Sequence, residues 1–169
     1  MITFRPIEFN DCEFLNNVRN ECAEQYLHNS TKYTLGQAQR WFYSLDIPYY
    51  IVFNDQDKIG YFRLSNYSKS NHNIYIGMDL HKDFRGRGLA YESYCKFMPY
   101  LIKEYNLHKI SLEVLATNER AYNLYLKLGF ATEGIKRQDV YRNGDYIDSV
   151  VMSILKSEME TMDDVYKFS

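Results

Sequence analysis

The sequence has few cysteines, and its histidines are not at metal-ligand spacing. These two features argue against a disulfide framework and against a metal site. Its 169 residues include three cysteines, Cys12, Cys22 and Cys95, an odd number at wide spacing that suits neither a disulfide framework nor a zinc site. The four histidines are not at metal-ligand spacing either, so we expect no metal. Reduced thiols of this kind are typical of a cytoplasmic protein.

The chain also has no excess of basic charge and no long apolar run. Its formal net charge is −2, which argues against a general nucleic-acid-binding surface. No apolar run approaches the ~18–20 residues that a membrane span needs, and the first residues lack a signal-peptide pattern. We therefore expect a cytoplasmic protein that binds neither nucleic acid nor membrane.

The length and composition indicate one folded domain. Apolar residues make up 46% and charged residues 25% of the chain, as in ordinary globular proteins. We see no linker and no repeat, and we predict a single domain over residues 1–155. Residues 156–169 are acidic and irregular, and they form either a loose tail or a short helix.

Local patterns predict an α/β fold with the element order β-α-α-β-β-β-α-β-α-β-β and a mixed sheet. The first helix begins after Asn10 or Asp11 and reaches about Tyr26, and Thr34 caps the second helix. The helix over residues 88–105 contains Pro99, which removes a backbone donor and predicts a kink. Asn143-Gly144 predicts a tight hairpin between the last two strands.

The stretch "HKDFRGRGLAYE" joins an apolar strand to a helix through a basic, glycine-containing turn. Gly86 and Gly88 allow the backbone to turn sharply and approach a ligand, and the helix that follows directs unpaired N–H groups to the same place. Arg85 and Arg87 add positive charge that suits phosphate. These features describe a phosphate site at a helix N-terminus, but an ordinary solvated turn fits the same residues equally well.

Two motifs together resemble the GNAT superfamily of acetyl-CoA-dependent N-acetyltransferases. Arg85, Gly88 and Ala90 match its R/Q-x-x-G-x-G/A segment, and "NERAYNLYLKLGF" is similar to its N-x-x-A-x-x-L-Y-x-K-x-G-F helix. The resemblance covers about residues 1–155. Within the superfamily, the chain resembles the branch that holds nucleotide-amino-sugar and ribosomal-protein N-acetyltransferases.

The resemblance implies a binding site for acetyl-CoA and a V-shaped splay between the two central parallel strands, "IYIGMDL" and "ISLEVLA". The strand up to Leu80, with the backbone of Met78 and Leu80, would pair with the pantetheine arm, and Asn118 would contact the cofactor. The pyrophosphate would bind the backbone of six consecutive residues: Arg85, Gly86, Arg87, Gly88, Leu89 and Ala90.

The resemblance also assigns the proton donor and a candidate base. Tyr125 is the tyrosine of the second motif, and a phenol with a pKa near ~10 can protonate a leaving thiolate; alternatively it is one more apolar-face aromatic residue. Glu113, in the strand "KISLEVLA", is a candidate general base acting through water. Asp79 and His81 are reserve candidates, and an acceptor amine that loses its proton to solvent needs no base.

In this superfamily the N-terminal helices face the acceptor. The residues of these helices favour a nucleotide-linked amino sugar as the acceptor. The candidate residues are Arg19, Asn20, His28 and Trp41, with Tyr61 and Arg63 as further polar or aromatic groups. Trp41 and Phe42 are equally compatible with helix–sheet core. A protein N-terminus, as in the ribosomal-protein enzymes, or another small amine stays open, and a polyamine is disfavoured because the N-terminal half lacks an acidic cluster.

One alternative belongs to a different class of function. The same fold can serve as a non-catalytic acyl-CoA-binding sensor, although an intact Tyr125 argues against this. A homodimer is common among similar proteins, and the sequence leaves the oligomeric state open.

Overall fold

The computed structural model describes residues 1–168, and its elements follow the predicted order. The strands are β1 (Ile2–Pro6), β2 (Tyr50–Asn54), β3 (Asp57–Ser68), β4 (Asn73–Leu80), β5 (Lys109–Leu115), β6 (Ala131–Arg142) and β7 (Asp145–Leu155). The α-helices are α1 (Cys12–Ala23), α2 (Leu35–Phe42), α3 (Leu89–Glu104), α4 (Glu119–Lys127) and α5 (Lys156–Glu160). Short 3₁₀ helices cover Phe9–Asp11 and Lys82–Phe84.

The strands form a mixed sheet in the order β1-β2-β3-β4-β5-β7-β6. β4 and β5 pair in parallel, whereas β5 with β7 and β6 with β7 pair antiparallel. The predicted α/β fold class with a mixed sheet is therefore confirmed. The parallel ladder is short: it joins residues 73–75 to residues 109–111.

Local signals explain where most elements begin and end. Thr34 caps α2 as predicted, because its Oγ1 accepts a hydrogen bond from Gln37 N at 3.3 Å. Asn143 and Gly144 have φ values of 52° and 90°, the positive pair that a two-residue hairpin turn of this kind needs. The first helix differs from the prediction, since it ends at Ala23 rather than near Tyr26. α3 extends through Pro99 to Glu104.

The chain forms two compact units, and strands β3 and β4 and helix α3 each contribute to both. Unit 1 comprises residues 1–65 and 77–93. Its core contains Leu15 and Val18 of α1, one helical turn apart, together with Ile51 of β2 and Tyr61 of β3. Burial of this apolar helix face is what holds α1 in unit 1.

Unit 2 comprises residues 66–76 and the chain from residue 94 onward. Phe97 and Leu101 of α3 are fully buried, as is Ile154 of β7. Of the two alternatives for the C-terminal residues, the structure shows the helix, α5. Beyond α5, the buried Tyr166 donates its hydroxyl hydrogen to Leu128 O at 2.6 Å.

Asp11 is a buried carboxylate that ties three segments of unit 1 together. It accepts hydrogen bonds from Arg5 Nη1, Lys58 Nζ and Glu8 N at 2.7–2.8 Å. Burial opposes ionisation of Asp11, but these hydrogen bonds outweigh it and lower its pKa to about 2. The ionised form therefore links β1, β3 and the first 3₁₀ helix.

This link predicts a loss of stability in acid. Because the pKa of Asp11 is lower in the folded chain than in the unfolded chain, its stabilisation is complete above about pH 5 and disappears as the pH falls toward 2. The free energy of unfolding should drop by about 2 kcal/mol from this group. Urea unfolding at several pH values measures the drop, which Asp11→Asn should remove and the exposed Asp46→Asn should not. An equal acid sensitivity in all three chains would contradict the assignment.

Candidate active site

The glycine turn between β4 and α3 has the backbone that its sequence predicts. Gly86 and Gly88 both have φ of 78°, a left-handed conformation that residues with a Cβ adopt with strain. Both glycines are exposed, and α3 begins at Leu89 immediately after them. The first N–H groups of a helix have no partner inside it, so this turn presents backbone donors beside the positive end of a 16-residue helix.

The side chain of Arg85 does not extend into solvent from the turn. It is hydrogen-bonded to other residues of unit 1. Its Nε donates to Leu80 O at 2.8 Å and its Nη2 to Cys22 Sγ at 3.2 Å. The guanidinium also lies 5.3 Å from the centre of the Tyr26 ring. Burial raises the pKa of Cys22 to about 11, so the sulfur is a neutral thiol. Arg85 therefore fixes the position at which the turn leaves β4.

The other residues predicted to hold the cofactor lie at the end of β4 and the start of α3. Met78 and Leu80 are half-buried on β4, and Leu89 and Ala90 are half-buried in the first turn of α3. Arg87 is exposed, with its guanidinium 5.6 Å from the centre of the Phe84 ring. These residues flank the glycine turn, and Arg87 Nη1 also donates a hydrogen bond to Asp83 O at 3.4 Å.

Tyr125 lies in unit 2, on the buried side of α4. Its side chain is 8% exposed, and its ring centre is 5.8 Å from the ring centres of Tyr94 and Phe130. Asn118 caps the helix, because its Oδ1 accepts a hydrogen bond from Ala121 N at 3.2 Å. The cap and the aromatic contacts together fix the direction of the phenol.

Glu113, the candidate base on β5, is already paired. Its Oε1 accepts a hydrogen bond from Lys136 Nζ at 2.5 Å, and this contact raises the pKa of Lys136. Lys136 Nζ therefore occupies one acceptor position of this carboxylate. The pairing therefore favours a structural role for Glu113, as a link between β5 and β6.

Unit 1 contains a pocket of about 420 Å³ beside α1 and α2, within the usual range for small-ligand sites. Among the described residues that line it, three are arginines and none is acidic. The lining consists of Leu15, Asn16, Arg19, Asn29, Tyr33, Gln37, Ala38, Arg40, Trp41, Tyr49, Tyr61 and Arg63.

A buried polar network forms one wall of this pocket. Tyr61 is fully buried and donates its hydroxyl hydrogen to Asp79 Oδ2 at 2.5 Å; burial and the neighbouring carboxylate raise the pKa of Tyr61. Arg63 Nε donates to Asp79 Oδ1 at 3.2 Å. A Cβ on Gly77 would lie 2.5 Å from Arg63 Nη2, so the bare glycine makes room for the guanidinium.

The structure brings some of the predicted acceptor residues together and leaves others apart. Arg19 and Trp41 line the pocket, and Trp41 also packs against the core of unit 1. Asn20 lies outside the lining, where its side chain bonds both N and O of Tyr33 at 3.0 and 2.8 Å. His28 is half-buried and also lies outside it.

Sequence reasoning missed Asn16, Tyr33, Arg40 and Tyr49. One of them carried a signal in the sequence: Asn16 is one turn before Arg19 on α1, so a helical projection around Arg19 finds it. Arg40 is adjacent to Trp41 on α2, and adjacent helical residues do not share a face, so a projection from Trp41 does not find it. Tyr33 and Tyr49 lie outside the helices, and their positions depend on the path of the chain around them.

Comparison with known proteins gives the family. The acetyltransferase (GNAT) domain profile matches residues 1–131. The chain belongs to the GNAT acetyltransferase family. The expectation of an acetyl-CoA-dependent acyltransferase is thereby confirmed, whereas the branch within the family is not.

Among the relatives are proteins named for a ribosomal acceptor and proteins named for spermidine. YdaF of Bacillus subtilis (strain 168), named as a candidate ribosomal N-acetyltransferase, is 30% identical over 106 residues, which are 63% of this chain and 58% of YdaF. The spermidine N(1)-acetyltransferase of Escherichia coli (strain K12) is 25% identical over 170 residues, covering 93% of this chain and 87% of that enzyme. This chain thus spans little more than half of YdaF.

A solved structure confirms the fold over nearly the whole chain. The spermidine N-acetyltransferase of Vibrio cholerae, in complex with CoA and spermine, has a TM-score of 0.88 at 24% identity and covers 94% of this chain and 98% of its own. None of the helices in residues 1–168 is long and apolar enough to span a membrane.

Proposed function

We propose that this enzyme transfers the acetyl group of acetyl-CoA to the N-terminal amine of a polypeptide, by direct attack in a ternary complex. The choice of acceptor rests on the charge of the pocket in unit 1. The described residues that line this pocket include three arginines and no carboxylate. A polyamine is a polycation that such a lining repels. The likeness to YdaF supports a protein acceptor.

The N-terminal helices favour a nucleotide-linked amino sugar from sequence alone, and the relatives do not support this acceptor. The names among them point to ribosomal-protein and spermidine substrates. The spermidine enzymes match more of the chain. However, a polycation binds to negatively charged groups, and the charged residues that line the pocket are arginines. A protein N-terminus therefore fits both the relatives and the pocket.

The backbone of residues 85–90 supplies the anion site for the pyrophosphate in this proposal. Gly86 and Gly88 have no side chains, which leaves the backbone of the turn accessible. The first N–H groups of α3 point out of the helix end beside them. Arg85 keeps the turn in place through Leu80 and Cys22. The residues present thus fit the diphosphate of coenzyme A without a metal.

Tyr125 is the proposed proton donor. Acetyl-CoA supplies a thioester: the acceptor nitrogen forms the new bond to its carbonyl carbon while the carbon–sulfur bond breaks. Tyr125 gives its hydroxyl proton to the departing thiolate. In this proposal the acceptor amine loses its proton to water, and Glu113 serves as the ion-pair partner of Lys136. The phenolate of Tyr125 then regains a proton from solvent.

An acceptor panel tests this function. Release of free thiol from acetyl-CoA is followed with N-terminal peptides, spermidine and a nucleotide-linked amino sugar. We expect kcat/KM for the best peptide to exceed that for the other two by at least about tenfold, a difference of about 1.4 kcal/mol in transition-state binding. A preference for spermidine or the amino sugar would overturn the choice of acceptor. Tight binding of acetyl-CoA without thiol release from any amine would support the sensor instead.

A further inference from the structure

We infer that the pocket in unit 1 selects acidic polypeptide N-termini, with a carboxylate in the first few residues of the acceptor bound by its arginines. This inference rests on the proposed function. It names which N-termini the enzyme acetylates, and the property that carries it is the unbalanced positive charge of the lining.

The three arginines differ in how their charge is balanced. Arg63 is paired with the buried Asp79 at 3.2 Å. Arg19 donates to two neutral groups, Thr31 O at 2.5 Å and Asn29 O at 3.1 Å, so its positive charge is positioned but not neutralised. Arg40 is exposed on α2 and, within residues 1–168, makes no ion pair. Two of the three positive charges are therefore available to an anion.

Arg19 is also held rigidly, which suits recognition. Its guanidinium lies 4.5 Å from the centre of the Tyr33 ring, a cation–π contact that adds to the two carbonyl bonds. A basic group that is already fixed loses little side-chain freedom when it binds an anion. Arg40 lies on α2, one turn after Gln37, and adds a second guanidinium to the lining of the same pocket.

The remainder of the wall suits a peptide backbone and its side chains. Trp41 and Tyr49 have ring centres 4.8 Å apart and present aromatic surface. Asn16 is 6% exposed, and its Oδ1 is buried without a hydrogen-bond partner within residues 1–168. An unpaired buried acceptor is unfavourable, and a ligand that brings N–H donors, as a peptide does, can relieve it.

A charge-reversal experiment tests the inference. Three peptides share alanine at the first position and carry glutamate, glutamine or lysine at positions two and three. We expect the parent enzyme to prefer the glutamate peptide over the lysine peptide by at least about tenfold in kcat/KM. Arg40→Glu should reduce this preference at least about fivefold, and the neutral Arg40→Gln should give an intermediate value.

Lys32→Glu provides the matched control, because it makes the same change of charge on an exposed residue of unit 1 that does not line the pocket. It should leave the peptide preference unchanged. Thermal unfolding checks that each variant is folded. If Arg40→Glu does not fold, the peptide preference of Arg40→Gln is compared with that of the parent instead.

The outcomes separate this inference from the proposed function. If peptides are acetylated but the glutamate and lysine peptides react equally, or if Arg40→Glu and Lys32→Glu change the preference alike, the pocket does not read acidic N-termini. If no peptide is acetylated while another amine is, the proposed acceptor itself is wrong.

Discussion

Replacing Tyr125 with phenylalanine is expected to lower kcat about 100- to 1,000-fold, the usual contribution of a positioned proton donor. The change removes the hydroxyl group alone. The ring keeps its contacts with Tyr94 and Phe130, both at 5.8 Å between centres, so the fold and the affinity for acetyl-CoA should change little. Loss of kcat without loss of cofactor affinity would place the hydroxyl in the chemical step.

Tyr122 offers a matched control on the same helix. It lies three residues before Tyr125, and its hydroxyl lies 3.3 Å from Thr132 Oγ1. Tyr122→Phe makes the identical change and should leave kcat within about twofold. Rates from thiol release and acetyl-CoA affinities from calorimetry should be measured for both variants. Equal kcat in Tyr125→Phe and the parent would remove Tyr125 from the mechanism.

Replacing Gly88 with valine should raise KM for acetyl-CoA at least about tenfold. Gly88 has φ of 78°, where a β-branched residue is strained by about 1–3 kcal/mol. No atom lies within 4 Å of the position that its Cβ would take, so the backbone, and not crowding, is what the substitution disturbs. A changed backbone at this position redirects the N–H groups proposed to bind the pyrophosphate.

Gly134 supplies the control for this change. It too has no atom within 4 Å of its ideal Cβ position, and its φ lies outside the left-handed region. Gly134→Val should leave KM for acetyl-CoA unchanged. Both variants require a thermal melt to show that they fold. An unchanged KM in a folded Gly88→Val enzyme would mean that the pyrophosphate binds elsewhere.

The elements that sequence reasoning predicted well are those set by adjacent residues. The Thr34 cap of α2 and the Asn143-Gly144 turn each depend on hydrogen bonds or dihedral angles within four residues, so a short window contains the whole cause. The glycines at 86 and 88 are similar, because their positive φ is a property of the turn itself. Such local signals were sufficient for the element order and for the fold class.

The features that it missed depend on distant residues. The pairing of β6 with β7 is irregular between Lys136 and Val140, and the sequence analysis did not predict this irregularity. Gln138 there has φ of 53°, and its N–H donates to Asp148 Oδ1 at 2.7 Å, ten residues away. The pocket in unit 1 is comparable, since Asn16 and Tyr49 share its wall although 33 positions separate them in the chain. No local pattern encodes either arrangement.

The bonds of Arg85 also determine how the glycine turn meets a ligand. Because Leu80 O and Cys22 Sγ already hold this side chain, the turn is preorganised, and little conformational entropy is lost when an anion settles on it. On the proposed function, the diphosphate moiety then meets a turn whose departure from β4 is already set before binding.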